Sequence, residues 1–159
     1  MGRDWPVADD AGPEASQFDG LVSHRPRYAS ALGSVEAELW AQDAIDPVTL
    51  ELCRLRIAQL LSCQAALGYR TPEAAAAGLD EELVASLPRW PDDPRFDSRL
   101  RTCLGLAEQL LMDAQGVTDE QAGEVVAAVG EGGFLVLTYA CGLFETTQRA
   151  RLLIGARSW

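Results

Sequence analysis

Regularly spaced apolar residues are the feature that most limits what this chain can fold into. Between Ser98 and Met112 they recur at steps of three and four residues, at Leu100, Cys103, Leu104, Ala107, Leu110 and Leu111. This spacing places them on one face of a helix. Val, Ile and Thr form no alternating runs of the kind that strands require. The sequence therefore predicts an all-α fold in which 159 residues fill a single domain.

Helix-capping residues mark several boundaries along the chain. Asp46 followed by Pro47 predicts the start of a helix, because Asp caps the first N–H groups and Pro is well suited to the first turn. The run Thr118-Asp-Glu-Gln121 is a capping box that begins another helix. Ser62 is expected to cap a further helix that starts at Cys63. Such a cap would break the chain between the two helices.

The first 19 residues differ in composition from the rest of the chain. Residues 1–19 are acidic, rich in Pro, Gly and Ala, and without helical or strand periodicity. They predict an extended or disordered arm, which Trp5 and Phe18 could pin to a surface, and residues 20–159 then form the domain.

The most apolar run, Phe134 to Phe144, is shorter than the roughly 20 residues that cross a bilayer. It predicts a buried core helix.

Charge and composition exclude several classes of function. The formal net charge is -11, which argues against binding to nucleic acids and to anionic membrane surfaces. His24 is the single histidine, so a multi-histidine metal site is excluded, and no cofactor is expected. No cysteine pair has C-x-x-C spacing and no signal peptide precedes the cysteines, which predicts reduced thiols in a cytoplasm. These cysteines are Cys53, Cys63, Cys103 and Cys141.

The stretch from Glu51 to Arg70 looks like a redox active-site segment that lacks part of its chemistry. A carboxylate stands at Glu51 and a thiol at Cys63. A second thiol would be expected at position 66, where the chain has Ala66. A histidine would be expected at position 70, where the chain has Arg70.

Other motifs accompany this segment. They are His24-Arg-Pro26, the Arg-x-Arg-x-Ala-Gln pattern between Glu51 and Cys63, Gly78-Leu-Asp-Glu-Glu82 and Gly116-Val-Thr-Asp-Glu120. With them the chain resembles, from about residue 21 to 156, the carboxymuconolactone decarboxylase family and its AhpD-like alkyl hydroperoxidases. The resemblance implies a multi-helix orthogonal bundle that assembles as a dimer, trimer or hexamer. It also implies a site in which one Cys attacks a peroxide and a second Cys then forms a disulfide with the first. Glu and His relay protons in such a site.

Two of the four site residues of the family match in this chain. Glu51 and Cys63 take the places of the carboxylate and the first thiol, whereas Ala66 and Arg70 depart from the pattern. A guanidinium group does not relay protons, but it can anchor an anion or pair with Glu51. Tyr69 can donate a proton to a substrate or simply pack. On one unbroken helix Glu51 and Cys63 would lie about 18 Å apart, so a chain break is needed to bring them together.

Three functions follow from these residues. The first is an enzyme that acts on a small, anionic organic molecule by lyase, decarboxylase or isomerase chemistry, with Glu51 as base and Arg70 as anchor. The second is a one-cysteine alkyl hydroperoxidase, a peroxiredoxin-like antioxidant that uses Cys63 and an external thiol. The third is a non-catalytic, oligomeric binding module. The two-cysteine peroxidase cycle is not expected, because Ala66 removes the resolving thiol.

Overall fold

The computed structural model describes residues 17–156, and within that range the fold is all-α, as predicted. The α-helices are α1 Gln17–Ser23, α2 Pro26–Ala41, α3 Pro47–Leu61, α4 Gln64–Leu67, α5 Pro72–Ala76, α6 Glu81–Ser86, α7 Ser98–Asp113 and α8 Asp119–Ile154. Short 3-10 turns at Leu87–Arg89 and Ala114–Gly116 flank α7. Of the expected arm, residues 17–19 belong to α1, and residues 1–16 lie outside the described range.

Helix α3 is the centre of the bundle. Its first turn is capped as predicted, since the Asp46 carboxylate accepts hydrogen bonds from the Thr49 N–H and the Thr49 hydroxyl, both at 2.8 Å. Every side chain from Thr49 to Leu55 is buried. A helix that is covered on all sides must lie between other elements, and α3 packs against both α7 and α8.

The junction between α3 and α4 differs from the prediction. Ser62 does not cap a new helix; it ends α3 in the left-handed conformation, with φ 57° and ψ 34°. Its N–H and that of Cys63 both bond back to the carbonyl of Ala58, which is a common way for helices to end. Helix α4 starts at Gln64, and Cys63 takes the capping position without a side-chain capping bond. The predicted break exists, but it is made by backbone geometry.

Helix α8 begins as predicted and is interrupted at one glycine. The Thr118 hydroxyl accepts a hydrogen bond from the Gln121 N–H at 3.1 Å. A single break at Gly130, with φ of 75° and ψ of 170°, interrupts the helix. Gly133 then allows close packing, because a Cβ there would come within 2.7 Å of Val129 and 3.1 Å of Ile45.

Of the helices described, α8 alone is long and apolar enough to cross a membrane. It is interrupted at Gly130, packs on α3 and α7, and buries the polar side chains of Gln148 and Arg151. These are features of a bundle helix that buries one face. Of the run Phe134 to Phe144, which was predicted to be buried, the buried residues are Leu137, Ala140, Cys141 and Phe144. Only 28% of its most apolar window is buried, so part of its apolar surface remains uncovered.

Helices α1 and α2 leave a cleft against α8, which we call the α1–α2–α8 cleft. No side chain of α2 is buried. The cleft has an apolar part of about 1220 Å³ and a charged part of about 310 Å³. The two parts are continuous, since both are lined by Phe18, Val22, Leu32 and Thr147.

Candidate functional site

Glu51 lies at the centre of α3 in a buried ion pair with Arg54. The Arg54 Nη2 donates to Glu51 Oε1 at 2.6 Å, and Arg54 Nε donates to Oε2 at 2.8 Å. Both side chains are buried, with exposed fractions of 0% for Glu51 and 1% for Arg54. One turn of helix separates the two residues, so α3 itself aligns the carboxylate with the guanidinium fork.

The same pair holds the chain that follows α4. Thr71 donates to Glu51 from its N–H at 3.4 Å and from its hydroxyl at 3.2 Å. Arg54 donates to the carbonyls of Ala66 at 3.2 Å and Tyr69 at 2.8 Å. Each oxygen of Glu51 therefore accepts two hydrogen bonds, and the pair connects α3 to α4 and to the residues between α4 and α5.

Cys63 is buried at the junction between α3 and α4. Its Sγ lies 4.0 Å from the carbonyl oxygen of Gln148, and its surroundings are small apolar side chains of α3 and α4. Gln148 also donates a hydrogen bond from Nε2 to the carbonyl of Arg54 at 3.0 Å. The chain break therefore brings Cys63 close to the hydrogen bonds that hold Glu51. Gln148 of α8 contacts both Cys63 and Arg54.

The other three cysteines form a separate group in the core. All four thiols are free and buried. Burial raises the pKa of Cys103 to about 11 and that of Cys141 to about 12, and it raises the pKa of Cys53 well above its ordinary range. Cys53 interacts electrostatically with Cys103 and Cys141 and belongs to the main core, whereas Cys63 belongs to a separate cluster.

Arg70 and Tyr69 lie at the edge of this arrangement. The Arg70 guanidinium pairs with Glu81, Nε to Oε1 at 2.9 Å and Nη2 to Oε2 at 3.0 Å, and not with Glu51. The Tyr69 ring faces Arg54, with its centroid 5.7 Å from the guanidinium carbon. Partial burial raises the pKa of Tyr69, which keeps its hydroxyl protonated. The structure thus brings Glu51 and Tyr69 together around Arg54 and leaves Arg70 in a surface ion pair.

Sequence reasoning missed two charged residues that line the cleft, Glu36 on α2 and Arg151 on α8. The Arg151 guanidinium lies over the Phe18 ring at 4.4 Å from its centroid, and burial lowers the pKa of Arg151. Desolvation raises the pKa of Glu36, although Arg151 acts in the opposite direction. A signal was available for Arg151, because Thr147 and Gln148 precede it by four and three residues and so place polar groups on one face of the last helix.

A metal centre is not part of this arrangement. In residues 17–156 no group of three His, Cys, Asp or Glu side chains is close enough to hold a metal ion. The groups that the structure does bring together are a buried ion pair, a buried thiol, and a cleft with charges of both signs.

Comparisons with known proteins relate this arrangement to a family. The family model for the carboxymuconolactone decarboxylase family matches residues 26–109, which is more than half of the chain. Uncharacterized proteins from two strains of Mycobacterium tuberculosis are 30% identical over 96 residues. The match covers 60% of this chain and 34% of each relative, so the chain spans about a third of the length of these relatives.

Two crystal structures share the fold. A candidate antioxidant defence protein AhpD of unknown function from Agrobacterium tumefaciens aligns with a TM-score of 0.77 and 18% identity, covering 87% of this chain and 95% of the other. An uncharacterized peroxidase-related protein from Silicibacter aligns with a TM-score of 0.80 and 13% identity, covering 98% and 92%. At these identities the likeness concerns the fold, and it confirms the predicted AhpD-like bundle. With the family model, it leads to one conclusion: this chain belongs to the carboxymuconolactone decarboxylase family.

Proposed function

We propose that this chain is a small-molecule binding member of its family, in which Glu51 is a structural residue and the α1–α2–α8 cleft receives the ligand. The observation that carries the proposal is the state of the Glu51 carboxylate. Both of its oxygens accept hydrogen bonds from Arg54 and Thr71, and none of its surface is exposed. This is the arrangement of a carboxylate that holds the fold together.

Acid–base chemistry at Glu51 is the function that this geometry favours least. A general base must come within hydrogen-bonding distance of the proton it removes. Glu51 would first have to give up its bonds to Arg54, and a buried charge without its partner is costly, by roughly 3–5 kcal/mol. Arg70 is paired with Glu81 at the surface, so it is not oriented as an anchor beside Glu51.

The one-cysteine hydroperoxidase is the second candidate, and one observation favours it. Arg151 interacts electrostatically with Cys63, and a neighbouring cation is typical of reactive thiols. Against this, the Cys63 side chain is only 1% exposed, so a peroxide would reach it only after the α3–α4 junction opens. We therefore place this activity second.

A peroxide assay separates the two candidates. The full chain is mixed with cumene hydroperoxide and dithiothreitol, and peroxide loss is followed beside a Cys63→Ser variant. Dimedone labelling, read by mass spectrometry, reports any sulfenic acid. We expect equal and negligible peroxide loss for both proteins and no label on Cys63. Peroxide consumption that disappears in Cys63→Ser would contradict the binding role and establish the hydroperoxidase.

We further propose that the protein is a homo-oligomer in a cytoplasm. The support for an oligomer is apolar surface at the mouth of the cleft, where the side chains of Tyr28, Val35 and Tyr139 are more than half exposed. Leu135 is exposed one helical turn before Tyr139 on α8. A contiguous apolar surface of this kind is typical of a protein–protein contact, and a second copy would cover it.

A further inference from the structure

The apolar part of the α1–α2–α8 cleft is a groove whose walls come from all three helices. Its volume is about 1220 Å³, which is ample for a small molecule. Half-buried leucines from each helix line it, namely Leu21, Leu32, Leu39 and Leu143. A polar group placed among such side chains would give up its hydrogen bonds to water without replacement, so the groove favours a ligand that is mostly apolar.

The length of the groove suits an acyl chain. Its lining follows α2 from Arg25 to Leu39, a distance of about 21 Å at roughly 1.5 Å per residue. The hydrocarbon core of a bilayer is about 30 Å thick and contains two layers of acyl chains, so one chain spans about 15 Å. The groove is therefore long enough for a whole acyl chain with its head group at one end.

Arg25 gives one end of the groove a positive charge. Of the described residues that line the apolar part, Arg25 alone carries a full charge, and none of them is Asp or Glu. Arg25 is exposed, and within residues 17–156 no carboxylate forms an ion pair with it. A guanidinium at this position can bind a carboxylate through two parallel hydrogen bonds.

The charged part of the cleft suits an anion less well. Arg151 lies there with the carboxylates of Asp19 and Glu36, and both carboxylates act electrostatically on it. A further anion would meet two negative charges beside one positive charge, and like charges repel. The head group of an anionic ligand is therefore assigned to Arg25.

We propose that the groove binds a free long-chain fatty acid. This inference rests on the proposed binding function and names its ligand class. The carboxylate pairs with Arg25, and the acyl chain lies along α2 against Leu32, Leu39 and Leu143. No bond is made or broken. The proposed second copy would cover the exposed rim of the groove above the acyl chain.

Displacement of cis-parinarate, a fluorescent fatty acid, from the full chain tests the inference. The competitors are dodecanoate, the shorter octanoate and the uncharged dodecanol, all below the concentrations at which they form micelles or separate. We expect affinity to rise by up to about fourfold with each methylene between octanoate and dodecanoate. Dodecanoate should bind about three- to fivefold more tightly than dodecanol, which is the effect of an exposed ion pair. Equal affinities for octanoate and dodecanoate would overturn the inference.

Two glycines of α8 locate the acyl chain. A Cβ at Gly142 or at Gly123 meets nothing within 4 Å, but Gly142 lines the groove and Gly123 does not. We expect Gly142→Phe to weaken dodecanoate binding at least about tenfold, because the ring would displace about two methylenes. Gly123→Phe is the matched control and should keep the parental affinity. Parental affinity in Gly142→Phe would place the ligand elsewhere and overturn the inference.

Two neighbouring arginines test the head group. Arg25 lines the groove and Arg27 does not, although both are exposed and each substitution removes one positive charge. Arg25→Gln should weaken dodecanoate binding about three- to fivefold and leave dodecanol binding unchanged. Arg27→Gln should change neither affinity. Equal effects of the two substitutions, or equal losses for the two ligands in Arg25→Gln, would contradict the pairing of the carboxylate with Arg25.

Further outcomes separate this inference from the proposed function. Dodecanol that binds as tightly as dodecanoate, at a site blocked by Gly142→Phe, overturns the fatty-acid class and leaves the proposed binding function standing. If cis-parinarate does not bind and Gly142→Phe shifts the protein towards the monomer in light scattering, a second copy fills the groove and the inference is overturned. Failure of the proposed function appears separately, as hydroperoxide loss that depends on Cys63.

Discussion

Arg54 joins three segments of the chain at one buried point. It pairs with Glu51 on its own helix, donates to the carbonyls of Ala66 and Tyr69, and accepts a bond from Gln148 through its backbone. These contacts help to satisfy buried and partly buried polar groups, which proteins rarely leave without partners. The Glu51 carboxylate therefore lies within a buried hydrogen-bond network that joins α3, α4 and α8.

Glu36 makes stability depend on pH in a direction opposite to that of most carboxylates. Its pKa in the fold is raised above the ordinary 4.5, so the folded state holds the proton more tightly than the unfolded state. The contribution of the protonated form to stability is complete below pH 4.5 and is lost as pH rises through the raised pKa. We expect Glu36→Gln to be at least as stable as the parent at pH 7.

Urea unfolding at several pH values measures this effect. The difference between Glu36→Gln and the parent should shrink towards zero below pH 4.5, where Glu36 is protonated in both states. A parent that is more stable than the variant at pH 7, with the gap closing on acidification, would mean that the Glu36 carboxylate is stabilised by a partner.

The buried thiols should be slow to react in the folded protein. With pKa values of about 11 and 12, Cys103 and Cys141 are almost entirely protonated at pH 8, and the thiolate is the reactive form. All four cysteines are also buried. With Ellman's reagent we expect no rapid phase in the native protein and release of all thiols in urea. A rapid native phase that Cys63→Ser removes would instead favour the hydroperoxidase.

The helix boundaries that sequence predicted well are those set by local bonds. The caps at Asp46 and Thr118 depend on residues three positions apart, so the sequence contains all the information. The end of α3 was misassigned at Ser62, because a left-handed conformation is rare in a residue other than glycine. Glu51 and Cys63 could be predicted as candidate site residues, because they belong to one short motif. The proximity of Glu36 to Arg151 could not, because it depends on how α2 and α8 pack.

The break in α8 gives a test at Gly130. Its backbone lies in a region that is nearly restricted to glycine, so Gly130→Ala should destabilise the fold by roughly 1–3 kcal/mol. Gly132→Ala is the control, because its Cβ meets nothing within 4 Å and alanine favours helix by up to about 1 kcal/mol. Thermal unfolding measures both. A neutral Gly130→Ala would mean that α8 straightens readily and that the break is not required.

The surface of the bundle is the basis for the proposed homo-oligomer. The net charge of -11 disfavours contact with anionic partners. The apolar mouth of the α1–α2–α8 cleft is the exception, since α2 has no buried side chain and much of the apolar window of α8 is uncovered. A second copy at this mouth would cover the exposed apolar side chains of Tyr28, Val35 and Tyr139.

Light scattering after size-exclusion chromatography tests the assembly. We expect the parent to have a mass above its 17.1 kDa monomer and Tyr139→Glu to shift towards the monomer, because a charge would be buried in the contact. Met112→Glu, at an equally exposed apolar position on α7 outside the cleft, should leave the mass unchanged. A monomeric parent, or equal effects of both substitutions, would contradict this assembly.

The most direct test of the structural role of Glu51 is a double-mutant cycle with Arg54, measured by urea unfolding. Glu51→Gln and Arg54→Gln should each destabilise the fold by roughly 3–5 kcal/mol, because each leaves a buried charge without its partner. The double variant removes both charges, so it should lose about 2 kcal/mol less than the sum of the single losses. Losses that add to within about 0.5 kcal/mol would contradict the account, because they would mean that Glu51 and Arg54 do not stabilise each other.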